Sequence, residues 1–258
     1  MENSSNIFTI FLTQSTSNEK KLIISLCLLF SFCSSGIIGL PLWFEEPKLL
    51  CALNPLTPEI FSHCTESQLC SNSLDFKIDW SQSPSTLTSE LNLFCDRKVT
   101  KRMILSMIYF GGFAGCLMNF LIYVRPEFRK TVLAILGLLF AGSNYLILMF
   151  SYSEIIVGFS LASMSFTCMI GNAYGFIIIN EYFSGDLAKA ATILMTLSWG
   201  TFGICFGLFA YFIHSNWKVL FFTMGTLVLV DAAYLLCFKS DNGVKEGLSK
   251  AVIFDKIY

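Results

Sequence analysis

Residues 103–124, MILSMIYFGGFAGCLMNFLIYV, run 22 positions without a formal charge, and this run limits what the chain can become. A helix rises ~1.5 Å per residue, so about 20 apolar residues cross a ~30 Å hydrocarbon core. Basic residues close both ends: Lys98, Lys101 and Arg102 before, Arg125, Arg129 and Lys130 after. Gly111, Gly115 and Asn119 recur every four residues and share one helix face. On such a face another helix can come close, and Asn119 can add an interhelical hydrogen bond. A membrane-spanning helix is expected here.

The remaining composition agrees. Hydrophobic residues make up 54% of the 258 positions, charged residues only 14%, and there are 26 Phe. A soluble domain of this size still exposes much of its apolar surface and cannot hide so much of it. No basic stretch suited to nucleic acid is present, and Lys and Arg sit mainly between apolar runs. With two histidines and no Ser/His/Asp, paired-carboxylate or phosphate-cradling pattern, the chain is not expected to be an enzyme.

In chain order, residues 1–21 read as a polar tail with no signal-peptide n-region; its Asn3-Ser4-Ser5 sequon is idle if that end is cytoplasmic. Residues 22–44 form a first span ending in the interfacial pair Trp43-Phe44. Residues 45–102 are polar, contain Pro47, Pro55, Pro58 and Pro84, and carry Cys51, Cys64, Cys70 and Cys95. Four cysteines in such a loop read as two disulfides, in any of three pairings; their steps of 13, 6 and 25 residues match no zinc spacing, so no metal is expected. Residues 83–93 look like a short helix returning to the membrane. Further spans are expected at 132–150, 155–179, 192–213 and 219–238, with a cytoplasmic amphipathic tail at 239–258. Small-residue ladders recur at Ser163, Thr167, Gly171 and Gly175, and at Gly200, Gly203, Gly207 and Ala210. The fold class is thus all-α, polytopic, with six transmembrane helices. Lys/Arg in the short connections place both termini in the cytoplasm and the cysteines outside or in a lumen.

The long cysteine loop after the first span, the Ser89-Glu-Leu-Asn-Leu-Phe-Cys-Asp96 run into the second, and five closely spaced spans form a distinctive layout. With Phe44-x-x-Pro47-x-x-x-Cys51 and the glycine-rich stretch 194–222, it resembles the organic cation/anion transporter branch of the major facilitator superfamily. The resemblance covers residues 22–251 and corresponds to the first six of that family's twelve helices, half of its fold. It implies a plasma-membrane transporter of small organic solutes, working by alternating access without a cofactor. The family's turn after helix two, Gly-x-Leu-x-Asp-Arg-x-Gly-Arg-Arg, is matched from Asn119 to Lys130; Arg125 and Arg129 are retained, but Val124, Glu127 and Phe128 replace the Asp, a Gly and an Arg. Gly158 stands where helix four should begin with Arg, Glu181 matches the acid at its end, and the family's Glu-Ser-Pro-Arg after helix six is missing. Asn119, Arg125, Arg129, Lys130 and Glu181 are therefore read as remnants of a cytoplasmic gate.

For substrate binding the candidates are Asp231, the lone acid within a span, Trp199 as a cation–π wall, and Asn144 and Asn172. Each has a blander reading as an interhelical hydrogen-bonder or packing residue. A lone half exposes its small-residue faces to lipid, so a homodimer, another membrane protein, or a second half further along a longer chain is expected. The competing function is a degenerate subunit that does not transport and docks onto another membrane protein.

Overall fold

The computed structural model describes residues 4–52, 61–72, 75–121, 124–213 and 216–238. The Asn3 sequon, Pro55, Pro58 and the tail 239–258 lie outside the described residues.

The first helix, α1 (Ser4–Gln14), lies within what reads as a polar tail. Its apolar positions are set at helical spacing among polar ones; Phe11 packs on the core, and α1 lies against the fourth of the five long helices described below. Thr16 then caps α2 (Ser17–Cys33): its hydroxyl accepts from Glu19 N at 3.3 Å, while its own N–H donates to the Glu19 carboxylate at 2.7 Å. This reciprocal cap satisfies two donors that the first turn leaves free.

The first span is not one continuous helix. Ser34 Oγ donates back to Phe30 O at 2.7 Å, and α2 gives way to the short α3 (Ser35–Ile38) and α4 (Leu40–Trp43), with Gly39 between and Pro41 in the first turn of α4. A hydroxyl bonded to the preceding turn and a proline both weaken a helical ladder. Trp43 and Phe44, expected at a wet interface, are buried; the Trp43 ring lies 4.5 Å from that of Phe221. The polar loop folds over that end and takes it out of water.

That loop departs from an all-helical reading. It forms a three-stranded antiparallel sheet with β1 (Leu49–Ala52) between β2 (Phe61–Cys64) and β3 (Phe76–Ile78), Leu49 pairing with Cys64 and with Ile78. Strands of three or four residues are too short to show a two-residue alternation. Disulfides join Cys51 to Cys64, across β1 and β2, and Cys70 to Cys95, tying α5 (Glu66–Asn72) to the turn that leads into the second span. Leu49, Cys51, Leu69 and Phe94 form a small core of their own. Only four residues of the stretch 83–93 are helical, α6 (Leu87–Glu90), capped by Thr86.

Five long helices follow: α7 (Lys98–Leu121), α8 (Pro126–Met149), α9 (Glu154–Tyr182), α10 (Gly185–Phe212) and α11 (Trp217–Cys237). With α2–α3 they make, among the described residues, six helices long and apolar enough to cross a membrane. Several outrun the apolar runs, because helical backbone continues into the polar flanks. Between α9 and α10 only Phe183 and Ser184 are non-helical, and Gly185 turns the chain at φ +60°, where a side chain is disfavoured.

Neighbour relations have an internal symmetry. α7 packs on α9 as α10 packs on α2; α8 packs on α9 as α11 packs on α2; α2 meets α9 and α8 meets α11. Exchanging the first three spans with the last three maps each of these pairs onto another or onto itself. The contact of α9 with α10 has no counterpart of similar extent between α2 and α7. The α7–α9 seam is the tightest. Cβ atoms at Gly111 and Gly115 would meet the carbonyl oxygens of Ala162 at 2.1 Å and Phe166 at 2.7 Å, so these helices touch backbone to backbone. The ladder on α10 behaves differently: nothing lies within 4 Å of a Cβ at Gly200 or Gly207. Only 17% of the apolar window of α10 and 28% of that of α7 is buried, against 44–56% in the other four spans.

Candidate functional site

On the side opposite the cysteine loop, the helix ends are tied by polar groups. Arg129, buried near the start of α8, forms an ion pair with Glu181 at the end of α9, and its Nε donates to Val124 O at 2.8 Å. The Val124 side chain can accept nothing, but its backbone carbonyl takes a bond from the arginine. Glu181 Oε2 is buried without a hydrogen-bond partner among the described residues. Lys130 Nζ donates to the Phe238 carbonyl and lies 5.5 Å from the centre of that ring, joining α8 to the end of α11. Asn119 donates to Met169 O at 3.4 Å, joining α7 to α9. Arg125 is exposed at the N-cap of α8. Asn119, Arg129, Lys130 and Glu181 thus tie neighbouring helices to one another.

Across the middle of the bundle the four solute-binding candidates are scattered. Asp231 on α11 is 8% exposed and accepts from Ser25 Oγ of α2 at 2.6 Å, while its Oδ2 is buried without a partner among the described residues. Asn144 on α8 is 1% exposed, donates to Phe140 O of its own helix at 2.8 Å, and sits against Gly225 of α11. Asn172 on α9 donates to Cys168 Sγ at 3.5 Å and lines a cavity of about 10 Å³ with Leu26, Cys33, Thr167 and Gly171. That space holds a single water at most. Trp199 is 46% exposed on the outer surface of α10. Asn144, Trp199 and Asp231 line neither this cavity nor the two larger ones on the loop side.

Interhelical hydroxyl contacts were not anticipated from the sequence: Ser25 to Asp231, Ser31 to Ser198 at 3.0 Å, and Ser143 to Ser163 at 3.0 Å. Their signal is a hydroxyl inside an apolar run, where few other partners exist.

The loop side carries a second set of ties. Arg97 pairs with Glu154, Lys98 with Glu66 at 2.8 Å, Lys101 with Glu46 at 3.2 Å, and Lys218 with Glu90 at 2.9 Å; Ser151 also donates to Glu90 at 3.2 Å. These hold the disulfide-bonded segment against the ends of α7, α9 and α11. Asp79, partly exposed just after β3, accepts from Ser81 Oγ at 2.5 Å, and this bond holds its carboxyl below the usual carboxylate range. Among the described residues no three His, Cys, Asp or Glu side chains come together as metal ligands, and all four loop cysteines are in disulfides. No protein-family model matches the chain, and no curated protein matches it at a significant level.

Proposed function

We propose that the chain is one six-helix half of a transporter for small organic solutes, of the organic cation/anion type within the major facilitator superfamily. It works by alternating access once a second half, supplied as another copy or by a longer chain, closes over α7 and α10. The observation that carries this reading is the exchange symmetry of the helix neighbours, because inverted three-helix repeats underlie each half of that fold. The thin cover of α7 and α10 supports a missing partner on that side. In this reading the Arg129–Glu181 pair is a latch on the cytoplasmic side, which must open and reform in each cycle. The cysteine segment faces the outside, both termini face the cytoplasm, and the membrane is the plasma membrane.

The test uses the exposed Cys205 of α10. Mild oxidation of the protein in membranes yields a covalent dimer that Cys205→Ser abolishes, and reconstituted vesicles take up solute saturably, with Arg129→Ala lowering uptake more than abundance. A second reading, a docking subunit that does not transport, is favoured by the way Asn144, Asn172 and Asp231 direct hydrogen bonds into the bundle. That reading predicts no uptake and copurification of a single copy with a different membrane protein.

A further inference from the structure

The helix α1 is not needed to cross the membrane and is too short to do so: its 11 residues reach about 16 Å at ~1.5 Å each, against a ~30 Å hydrocarbon core. Around its axis, at 3.6 residues per turn, Ile10, Ile7, Phe11, Phe8 and Leu12 follow one another over an arc of about 200°, interrupted by Gln14 at the last position, while Thr9 and Thr13 stand on the opposite side. The chain uses only half of that apolar arc. Ile7, Ile10 and Phe11 are partly buried, on the side where α1 meets the bundle, whereas Phe8 and Leu12, one turn apart, are 58% and 60% exposed.

The position of α1 says what covers the other half. Only Ser15 and Thr16 separate it from α2, the first span, and the far end of that span leads into the cysteine segment. α1 therefore lies within about one turn of the point where the chain enters the membrane, at the end opposite that segment. The junction is fixed: Lys20 Nζ of α2 donates to Leu12 O at 2.7 Å, and the reciprocal cap of Thr16 with Glu19 sets the start of α2. On the polar side Thr13 Oγ1 turns back to Thr9 O at 2.7 Å. Residues 4–14 carry no formal charge, so what holds such a helix at a membrane surface is apolar area and not attraction to anionic headgroups.

We propose that α1 lies in the plane of the membrane surface, with Phe8 and Leu12 set into the boundary between headgroups and acyl chains and Thr9 and Thr13 in water. One helix then joins α10, the span with the least buried apolar window, to the lipid leaflet. The inference rests on the membrane-spanning character of α2 and does not depend on the transport reading.

The test uses the full chain in lipid nanodiscs, with one spin label at a time in Phe8→Cys, Thr9→Cys, Leu12→Cys and Thr13→Cys and with Cys27, Cys116, Cys205 and Cys237 replaced by Ala. Collisions with oxygen, which concentrates in hydrocarbon, are compared with collisions with a water-soluble nickel chelate. The ratio of oxygen to nickel collisions is expected to be several-fold higher at positions 8 and 12 than at 9 and 13, and the same in phosphatidylcholine as in phosphatidylglycerol. Few collisions with either agent at 8 and 12 would mean that protein covers them, from a second copy or another chain. A ratio there no higher than at 9 and 13 would mean water. Either result, or a contrast seen only with phosphatidylglycerol, overturns the proposal. A second measurement keeps the native cysteines: amide hydrogen exchange over residues 7–14 in nanodiscs. Phe8→Ala with Leu12→Ala is expected to speed it several-fold although alanine favours a helix, while Thr9→Ala with Thr13→Ala does not. Both side chains are exposed in the isolated chain, so exchange unchanged by their loss in lipid would also overturn the proposal.

Discussion

Adding one methyl group at Gly111 tests the contact on which the bundle is built. A Cβ there would lie 2.1 Å from the Ala162 carbonyl oxygen, 2.7 Å from its carbon and 2.8 Å from its Cα. All three atoms are α9 backbone, so no side-chain rotation relieves the clash. Restoring ordinary contact near 3.4 Å requires the helices to part by about 1.3 Å, which also loosens Gly112 against Ser165 and Gly115 against Phe166. Overpacking costs about 1–3 kcal/mol, and the lost dispersion along the seam puts Gly111→Ala near the upper end. At about 2–4 °C per kcal/mol for a chain of this size, the unfolding midpoint falls by roughly 6–12 °C. The assay is thermal unfolding in maltoside, followed with a thiol-reactive dye whose signal rises above that of the exposed Cys205 and Cys237 as the buried Cys33 and Cys168 are uncovered. Gly142→Ala is the control, because nothing lies within 4 Å of a Cβ at that position. If Gly111→Ala and Gly142→Ala unfold within about 1 °C of each other, the backbone contact between α7 and α9 is refuted.

Ser25→Ala removes the donor to Asp231 and leaves the whole carboxyl group without a partner, at an expected cost of about 1–3 kcal/mol in the same unfolding assay. Asp231→Leu added to it recovers part of the loss; a cost no larger than that of Ser106→Ala, at an exposed serine bonded to its own helix, argues against the pairing. Replacing Cys70 and Cys95 together by Ser removes the tie that closes a 25-residue separation, worth about 3.5 kcal/mol by loop entropy. Trypsin should then cut near Arg97 and Lys98 much faster, and an unchanged rate would mean that the link does not hold the segment in place.

The number and rough limits of the spans were legible in the sequence because crossing a bilayer is a property of one segment. Run length and charged flanks decide it, one helix at a time. The same holds for which cysteines leave the membrane and for the need to pair them. The pairing itself, Cys51 with Cys64 and Cys70 with Cys95, required the fold, since three arrangements satisfy the sequence equally. The sheet around Leu49 and the helix α1 were lost to shortness and to mixed composition.

Who packs against whom was decided only in three dimensions. In lipid both the partner helix and the solvent are apolar, so no amphipathic stripe marks the buried face. Gly111 and Gly200 belong to similar small-residue ladders, yet one touches the backbone of α9 and the other faces open space. Asp231 stands out in the sequence as an acid in a span, open to a solute-binding or a pairing reading; which residue it meets, Ser25, 206 positions away, comes only from the fold. Hydropathy sums over neighbours in sequence and fixes how often the chain crosses. Hydrogen bonds and backbone contacts sum over neighbours in space, and they decide which side chains are buried together and which remain open to a ligand.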